Sequence, residues 1–252
     1  MLPLADDNPH EIRPYVTWAL IAACAVVFIW QATLDDPNFE AAILGAALIP
    51  ARLFGLVDLP SQIPALPAWF TPISSMFLHG DWLHLGGNML YLWIFGDNVE
   101  DALGHARYLL FYLLCGLAAA SAQTFLSPDS TIPIIGASGA ISGVLGAYLL
   151  LYPRANVRTL VFLLIFVTII RVPAALVLGL WFLIQIADAV LSNPGEPGVA
   201  FWAHVGGFIA GAALVLVLRR PGFDLWQGGQ QGTYAAGQLD GPWSQPVSHR
   251  RR

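Results

Sequence analysis

Long apolar runs decide what this chain can become. Residues 15–32, 108–126, 132–152, 172–191 and 201–218 are each apolar and long enough to cross a bilayer as a helix. A sixth segment, 81–96, is helix-length but carries His84, Gly86, Gly87 and Asn88 near its start. Composition agrees with this pattern. The chain has 252 residues, 57% hydrophobic and 11% charged, where a soluble domain carries about 25% charged residues. The expected fold class is an all-α membrane protein built on these six transmembrane helices.

The remaining segments set the domain organisation. Residues 1–14 read as a short polar, proline-containing cytoplasmic lead-in, 15–220 as the membrane domain, and 221–252, rich in Gly, Gln, Ser and Pro, as a disordered C-terminal tail. Residues 33–78 form a long loop whose apolar pieces suit the membrane interface, with Trp69 and Phe70 at headgroup level. Residues 97–106 read as a charged loop. Between Arg158 and Arg171 the run 160–170 is apolar but too short to span, so it reads as re-entrant or interfacial. The start of the chain holds Asp6, Asp7 and Glu11 and lacks the basic opening of a cleaved signal peptide, so the first apolar run is expected to be a retained helix.

There are no lysines, and arginine placement sets orientation. With the N-terminus inside, Arg13, Arg107, Arg154, Arg158, Arg171, Arg219 and Arg220 fall on cytoplasmic segments, and only Arg52 falls outside. Both termini are then cytoplasmic. The net charge of −5 and the absence of a basic stripe exclude a nucleic-acid partner. Cys24 and Cys115 sit inside apolar runs and suit buried packing better than a disulfide. No spacing of His84, His204 and the acids supports a metal site, and no cofactor is implied.

The stretch Gly136-Ala137-Ser138-Gly139-Ala140-Ile141-Ser142-Gly143 has two readings. Gly139 and Gly143 form a G-x-x-x-G pair suited to close helix packing, the commoner reason for such a stretch. Alternatively Ser138, unshielded by bulky neighbours, is a nucleophile. The topology separates the two. Helices two, four and six all start at the outer face, so His84 and Asn88, Ser138, and His204 reach one depth on one side of the membrane. His204, Gly207 and Gly211 share a helix face, and Gly207 and Gly211 repeat the close-packing pair. Close contact of helices four and six then brings Ser138 to His204. A serine hydroxyl needs a base, and histidine is the usual one. Acyl transfer also needs oxyanion donors, which Asn88, His84 and the Ser138 backbone N–H can supply. His79, His105 and His10 read as loop residues. Asp188 reads as interfacial or bonded to Gln185, with a triad role toward His204 as the lesser reading.

These motifs together resemble the rhomboid family of intramembrane serine proteases. The resemblance rests on Gly136-Ala137-Ser138-Gly139, on Ala203-His204-Val205-Gly206-Gly207 with Gly211, on His84-x-x-x-Asn88, and on Gly96-x-x-Val99-Glu100-x-x-Leu103-Gly104. It covers roughly residues 75–218. It implies a six-helix bundle with a Ser–His dyad in a cavity below the outer surface. Ser138 would be the nucleophile and His204 the general base and acid. Asn88, His84 and the Ser138 amide would hold the oxyanion, with Gly136, Gly139 and Gly207 in support. Two positions depart from the family. The tyrosine that many members carry one turn after the serine, stacked on the histidine, is Ser142 here. The Trp-Arg pair that some members carry in the first loop is absent, and Arg52 follows Pro50-Ala51 instead.

The expected function is an intramembrane endopeptidase that cuts transmembrane protein substrates near the outer face of the lipid bilayer. A non-catalytic helix-binding scaffold would have been favoured by loss of Ser138 or His204. A small transporter would place its polar groups at mid-membrane across repeats. The expected compartment is a bacterial plasma membrane. Nothing in the sequence sets an oligomeric state.

Overall fold

The computed structural model describes residues 2–163, 166–192 and 198–227. The chain opens with strand β1 (Leu2–Asp6) and enters helix α1 (Tyr15–Ala32). Short helices α2 (Asp36–Ala46), α3 (Pro50–Leu53) and α4 (Thr71–Ser74) occupy the long first connection. Then follow α5 (Trp82–Leu103), α6 (His105–Leu126) and α7 (Ser138–Leu151). Strands β2 (Asn156–Leu163) and β3 (Phe166–Pro173) lead into α8 (Ala174–Leu191) and α9 (Phe201–Leu218). Helices α1, α6, α8 and α9 are long and apolar enough to cross a membrane.

The mostly helical structure fits the expected all-α membrane class, with one small addition. Strands β1, β2 and β3 form an antiparallel sheet in that order, with Leu2 opposite Leu160 and Leu160 opposite Ile169. Two segments read otherwise from sequence, the N-terminal lead-in and the short apolar run 160–170, are therefore partners. Val157, Thr159 and Val161 alternate inward and are buried, while Arg158 faces out. That is the period-two pattern of a half-buried strand. Asp7 closes the sheet's base: its carboxylate accepts from the Asn156 backbone N–H at 2.8 Å and from the Asn156 side-chain amide at 2.9 Å.

The charged loop expected at 97–106 is also corrected. Helix α5 continues to Leu103, and Gly104, at φ +78, makes the turn into α6. The acids stay in the helix because they have work to do there. Glu100 is fully buried and caps α1: one carboxylate oxygen accepts from Val16 N–H at 2.9 Å, the other from Thr17 N–H at 2.8 Å and Thr17 Oγ at 2.7 Å. A helix start leaves such donors open, and a carboxylate there also suits the helix dipole. Asp101 accepts from Glu11 N–H at 2.7 Å and pairs with Arg220 at 2.7 Å. His105 and His10, expected as free loop residues, rest on Glu100 at 2.6 Å and Asp97 at 3.1 Å.

Helix α7 begins six residues later than the expected 132. Residues 132–137 are non-helical instead: Ile134 exchanges backbone hydrogen bonds with Leu48, and Gly136 N–H donates to Ser75 O at 2.9 Å. Pro133 and Gly136, the latter at φ +113, cannot continue a helix here. Of the expected tail, residues 228–252 lie outside the described residues. The stretch before them docks, with Trp226 and Gln227 N–H donating to the carbonyls of Leu150 and Leu151 at 2.9 and 2.8 Å.

Candidate active site

Three helix starts build the site. Ser138 is the first residue of α7, so its N–H is one of the donors a helix leaves open. His204 lies in the first turn of α9, whose Ala203 N–H donates to the Gln123 side chain of α6 at 3.3 Å. His84 and Asn88 lie one turn apart on α5, and Asp81 caps that helix through His84 N–H at 2.8 Å.

Small residues bring these starts together. A Cβ on Gly207 would run into the Gly139 carbonyl, and one on Gly211 into the Gly143 carbonyl, so α9 lies backbone against α7. Gly206 makes the same close approach to α6, where a Cβ would meet Ala122. Gly139 and Gly143 in turn face Ala119 and Cys115 of α6. The packing reading of the glycine-rich stretch therefore holds, and the same packing brings Ser138 to His204.

His204 Nε2 lies 2.8 Å from Ser138 Oγ. On the other side of the ring, Nδ1 lies 2.6 Å from Gln185 Oε1 of α8. An amide oxygen only accepts, so Nδ1 carries the proton and Nε2 presents its lone pair to the serine. That is the tautomer a general base needs. Trp181, one turn before Gln185, packs its ring at 5.9 Å from the imidazole, tilted by 35°. Phe201 approaches edge-on at 6.4 Å.

The donors sit opposite. His84 Nδ1 faces Gly80 N–H at 3.5 Å, which directs Nε2–H toward the site. A Cβ on Gly136 would stand 2.6 Å from His84 Nε2 and 3.5 Å from Asn88 Nδ2. Gly136 thus keeps open the space on which both donors converge. Asn88 Nδ2 is buried and has no hydrogen-bond partner among the described residues. A cavity of about 1310 Å³ joins these groups, lined among others by Ser138, His204, Asn88, His84 and Trp181. The described residues hold no cluster of His, Cys, Asp and Glu able to bind a metal ion.

Comparisons with known proteins bear on the family of this chain. The family model described as "Rhomboid domain" matches residues 67–221. The chain belongs to the rhomboid family. With four helices of membrane-crossing length and apolarity among the described residues, this rhomboid is an integral membrane protein. It is 31% identical over 231 residues to rhomboid protease AarA of Providencia stuartii, covering 83% of this chain and 77% of that one. It is 38% identical over 148 residues to rhomboid protease GluP of Bacillus subtilis, covering 59% of this chain and 26% of GluP. It is 27% identical over 164 residues to the chloroplastic rhomboid-like protein 11 of Arabidopsis thaliana, covering 61% and 54% respectively. The chain thus spans about half of the chloroplast protein and about a quarter of GluP.

The structure of this rhomboid brings Ser138, His204, His84, Asn88, Gly136, Gly139 and Gly207 together at one end of the bundle. Asp188 is not the partner of His204; Gln185, one turn earlier, takes that nitrogen. Ser142 does not reach the histidine either: its hydroxyl donates to the Ser138 carbonyl at 2.7 Å, within its own helix. The aromatic wall on His204 comes instead from Trp181 of α8. Sequence reasoning missed both roles. The available signal was a lone amide in the apolar run 172–191, one turn after a tryptophan. His79, expected near the interface, is fully buried against Phe28 and His84.

Proposed function

We propose that this rhomboid is an intramembrane serine endopeptidase that hydrolyses peptide bonds in or near transmembrane segments of membrane-protein substrates. The observation that carries the reading is the 2.8 Å contact between Ser138 Oγ and His204 Nε2, inside a cavity that also holds Asn88 Nδ2, unpartnered among the described residues. Nucleophile and base lie within the 2.6–3.2 Å reach that proton transfer requires, an interval of roughly hydrogen-bond length.

In the proposed reaction Ser138 Oγ attacks the scissile carbonyl carbon as its proton passes to His204 Nε2. The carbonyl oxygen becomes an oxyanion, held by Asn88 Nδ2, His84 Nε2–H and the Ser138 N–H. Collapse breaks the C–N bond, and the imidazolium gives its proton to the leaving amine. Water then attacks the acyl-enzyme, His204 takes its proton, and Ser138 regains one as the new carboxyl product leaves. A helix hides its peptide bonds, so substrates should carry helix-weakening residues where they are cut.

The proposed topology has six spans with both termini cytoplasmic, α5 and α7 joining the four apolar helices. The arginine distribution supports it. With 14 residues, α7 is only about 21 Å long. In this reading its start at Ser138 falls below the outer surface, and the non-helical residues 132–137 complete the crossing. The proposed location is a bacterial plasma membrane, although the similar proteins include a chloroplast one; fractionation of the native cell checks it.

The test is cleavage of a single-span substrate with a Gly/Ala-rich outer segment, in liposomes, by wild type, Ser138→Ala and His204→Ala. Cleavage by wild type alone supports the dyad. Cleavage that survives both substitutions, or a wild type that neither cleaves nor reacts with a fluorophosphonate, overturns it.

A further inference from the structure

We infer that Gln185 is the positioning residue of the reaction, the group that holds His204 in the tautomer and orientation able to take the Ser138 proton. The inference rests on the dyad reading above and adds a third member from a different helix.

The argument starts with the imidazole. A neutral histidine carries one N–H, on Nδ1 or Nε2, and only the Nδ1–H form can accept from serine through Nε2. Nothing on α7 or α9 makes that choice: Ser138 Oγ can donate or accept, so its contact at 2.8 Å fits either form. Gln185 Oε1, at 2.6 Å from Nδ1, accepts only and so selects the Nδ1–H form. The opposite orientation of the amide would set its NH₂ against Nδ1, move the proton to Nε2 and leave Ser138 without a base.

Gln185 is well placed to enforce this. Its side chain is buried, with 8% of the residue exposed, so water does not compete effectively for the contact. The backbone fixes it on α8, and Trp181 one turn earlier lies along the imidazole ring. The two contacts restrain different freedoms: the amide sets the proton and the in-plane direction, and the indole limits tilt. The amide is neutral, so it orients the imidazolium without the charge stabilisation a carboxylate would add. Tautomer choice is thereby made by a neutral group beside a buried histidine, where an unpaired charge is costly.

The test uses the full chain in liposomes with the single-span substrate, beside wild type and Ser138→Ala. Gln185→Leu keeps the volume and removes the acceptor. Gln185→Asn keeps the amide but shortens its reach. Gln185→Glu restores an acceptor that also carries charge. The expected result is a 10- to 100-fold fall in kcat for Gln185→Leu and Gln185→Asn, with KM within about two-fold of wild type and a parallel fall in fluorophosphonate labelling of Ser138. Gln185→Glu regains most of the rate, and the acid limb of its kcat/KM profile moves to higher pH. Full activity of Gln185→Leu with an unchanged pH profile overturns the inference while leaving the dyad intact. So does a Gln185→Glu variant that is folded, by thermal unfolding in detergent, yet no more active than Gln185→Leu. Failure of wild type itself to cleave or label overturns the dyad reading instead. Should Gln185→Leu fail to fold, Gln185→Asn and Gln185→Glu decide the matter, since both keep a polar group at the site.

Discussion

Gly207 lies directly against the carbonyl of Gly139, so α9 and α7 touch backbone to backbone one turn from the Ser138–His204 contact. The distance between nucleophile and base is therefore set by two residues with no side chains. Gly207→Ala must separate the helices or strain them, at a cost of about 1–3 kcal/mol for overpacking. It should lower cleavage at least ten-fold, measured as substrate turnover beside thermal stability in detergent. Gly179→Ala is the matched control. Gly179 has open space where a Cβ would stand, so its replacement in mid-helix should leave turnover unchanged and stability equal or slightly higher.

Asn88 offers the cleanest test of the oxyanion site. Its amide nitrogen is buried and unpartnered among the described residues, so no internal bond is lost when it is removed. Asn88→Ala should reduce kcat by about 10²–10³ with a small change in KM, the signature of a donor used in the transition state. Equal losses in binding and turnover would argue against it. Gly136→Ala should be worse, because its Cβ would fill the space between the donors and its φ of +113 is strained for any residue but glycine.

Trp181 stands where it can do for His204 what the family's tyrosine does from the other helix. Trp181→Phe should retain most activity. Trp181→Ala should lose about ten-fold in kcat, because the ring then tilts out of line with Ser138. Single-turnover kinetics separate this from a change in substrate binding.

Glu100 predicts a stability effect far from the chemistry. Its carboxylate satisfies two backbone donors and the Thr17 hydroxyl at the start of α1. Glu100→Ala leaves these buried donors open, each costing about 1–3 kcal/mol. The expected outcome is a large fall in unfolding temperature or loss of folded protein, with Glu100→Gln intermediate.

Asp6 makes the sheet sensitive to pH. Burial lifts its carboxyl from 3.8 to about 7, against the lowering effect of the Tyr148 hydroxyl that donates to it; Asp97 and Asp7 nearby raise it further. The folded chain then holds a proton that the unfolded chain has released between pH of about 4 and 7. Stability from this group is full below that window and declines as pH rises through it. The unfolding temperature of wild type should fall from pH 5 to 8 by more than that of Asp6→Asn. Parallel curves for the two would show that Asp6 contributes nothing to the slope.

The sequence shows Ser138, His204, His84 and Asn88 because the proposed chemistry calls for particular residue types near helix starts, and apolar runs mark where helices lie; the start of α7, six residues past the run's beginning, was not legible in that way. The Gly207 and Gly211 face was legible for the same reason: helical spacing is local. What failed was non-local. Residues 2–6 carry no strand signal of their own, since Pro3 interrupts them and Asp6 ends them, and only their ladder partners, residues 157–160 far along the chain, make them a strand. Asp97, Glu100 and Asp101 look like a solvated loop until α1 and the N-terminal segment supply the donors they accept from. Gln185 reads as a hydrogen-bond partner for Asp188 until α9 lays His204 across it.

That distant pairing of β1 also orders the assembly of the molecule in time. Leu2 is made before α1 and its partner Leu160 only after α7 is complete. Residues 2–6 must wait, unpaired with β2, while α1 to α7 are synthesised. A bulky fusion joined ahead of Leu2 would burden a strand that pairs only once β2 has been made, whereas Asn156 and the hairpin it begins can form as soon as they are made.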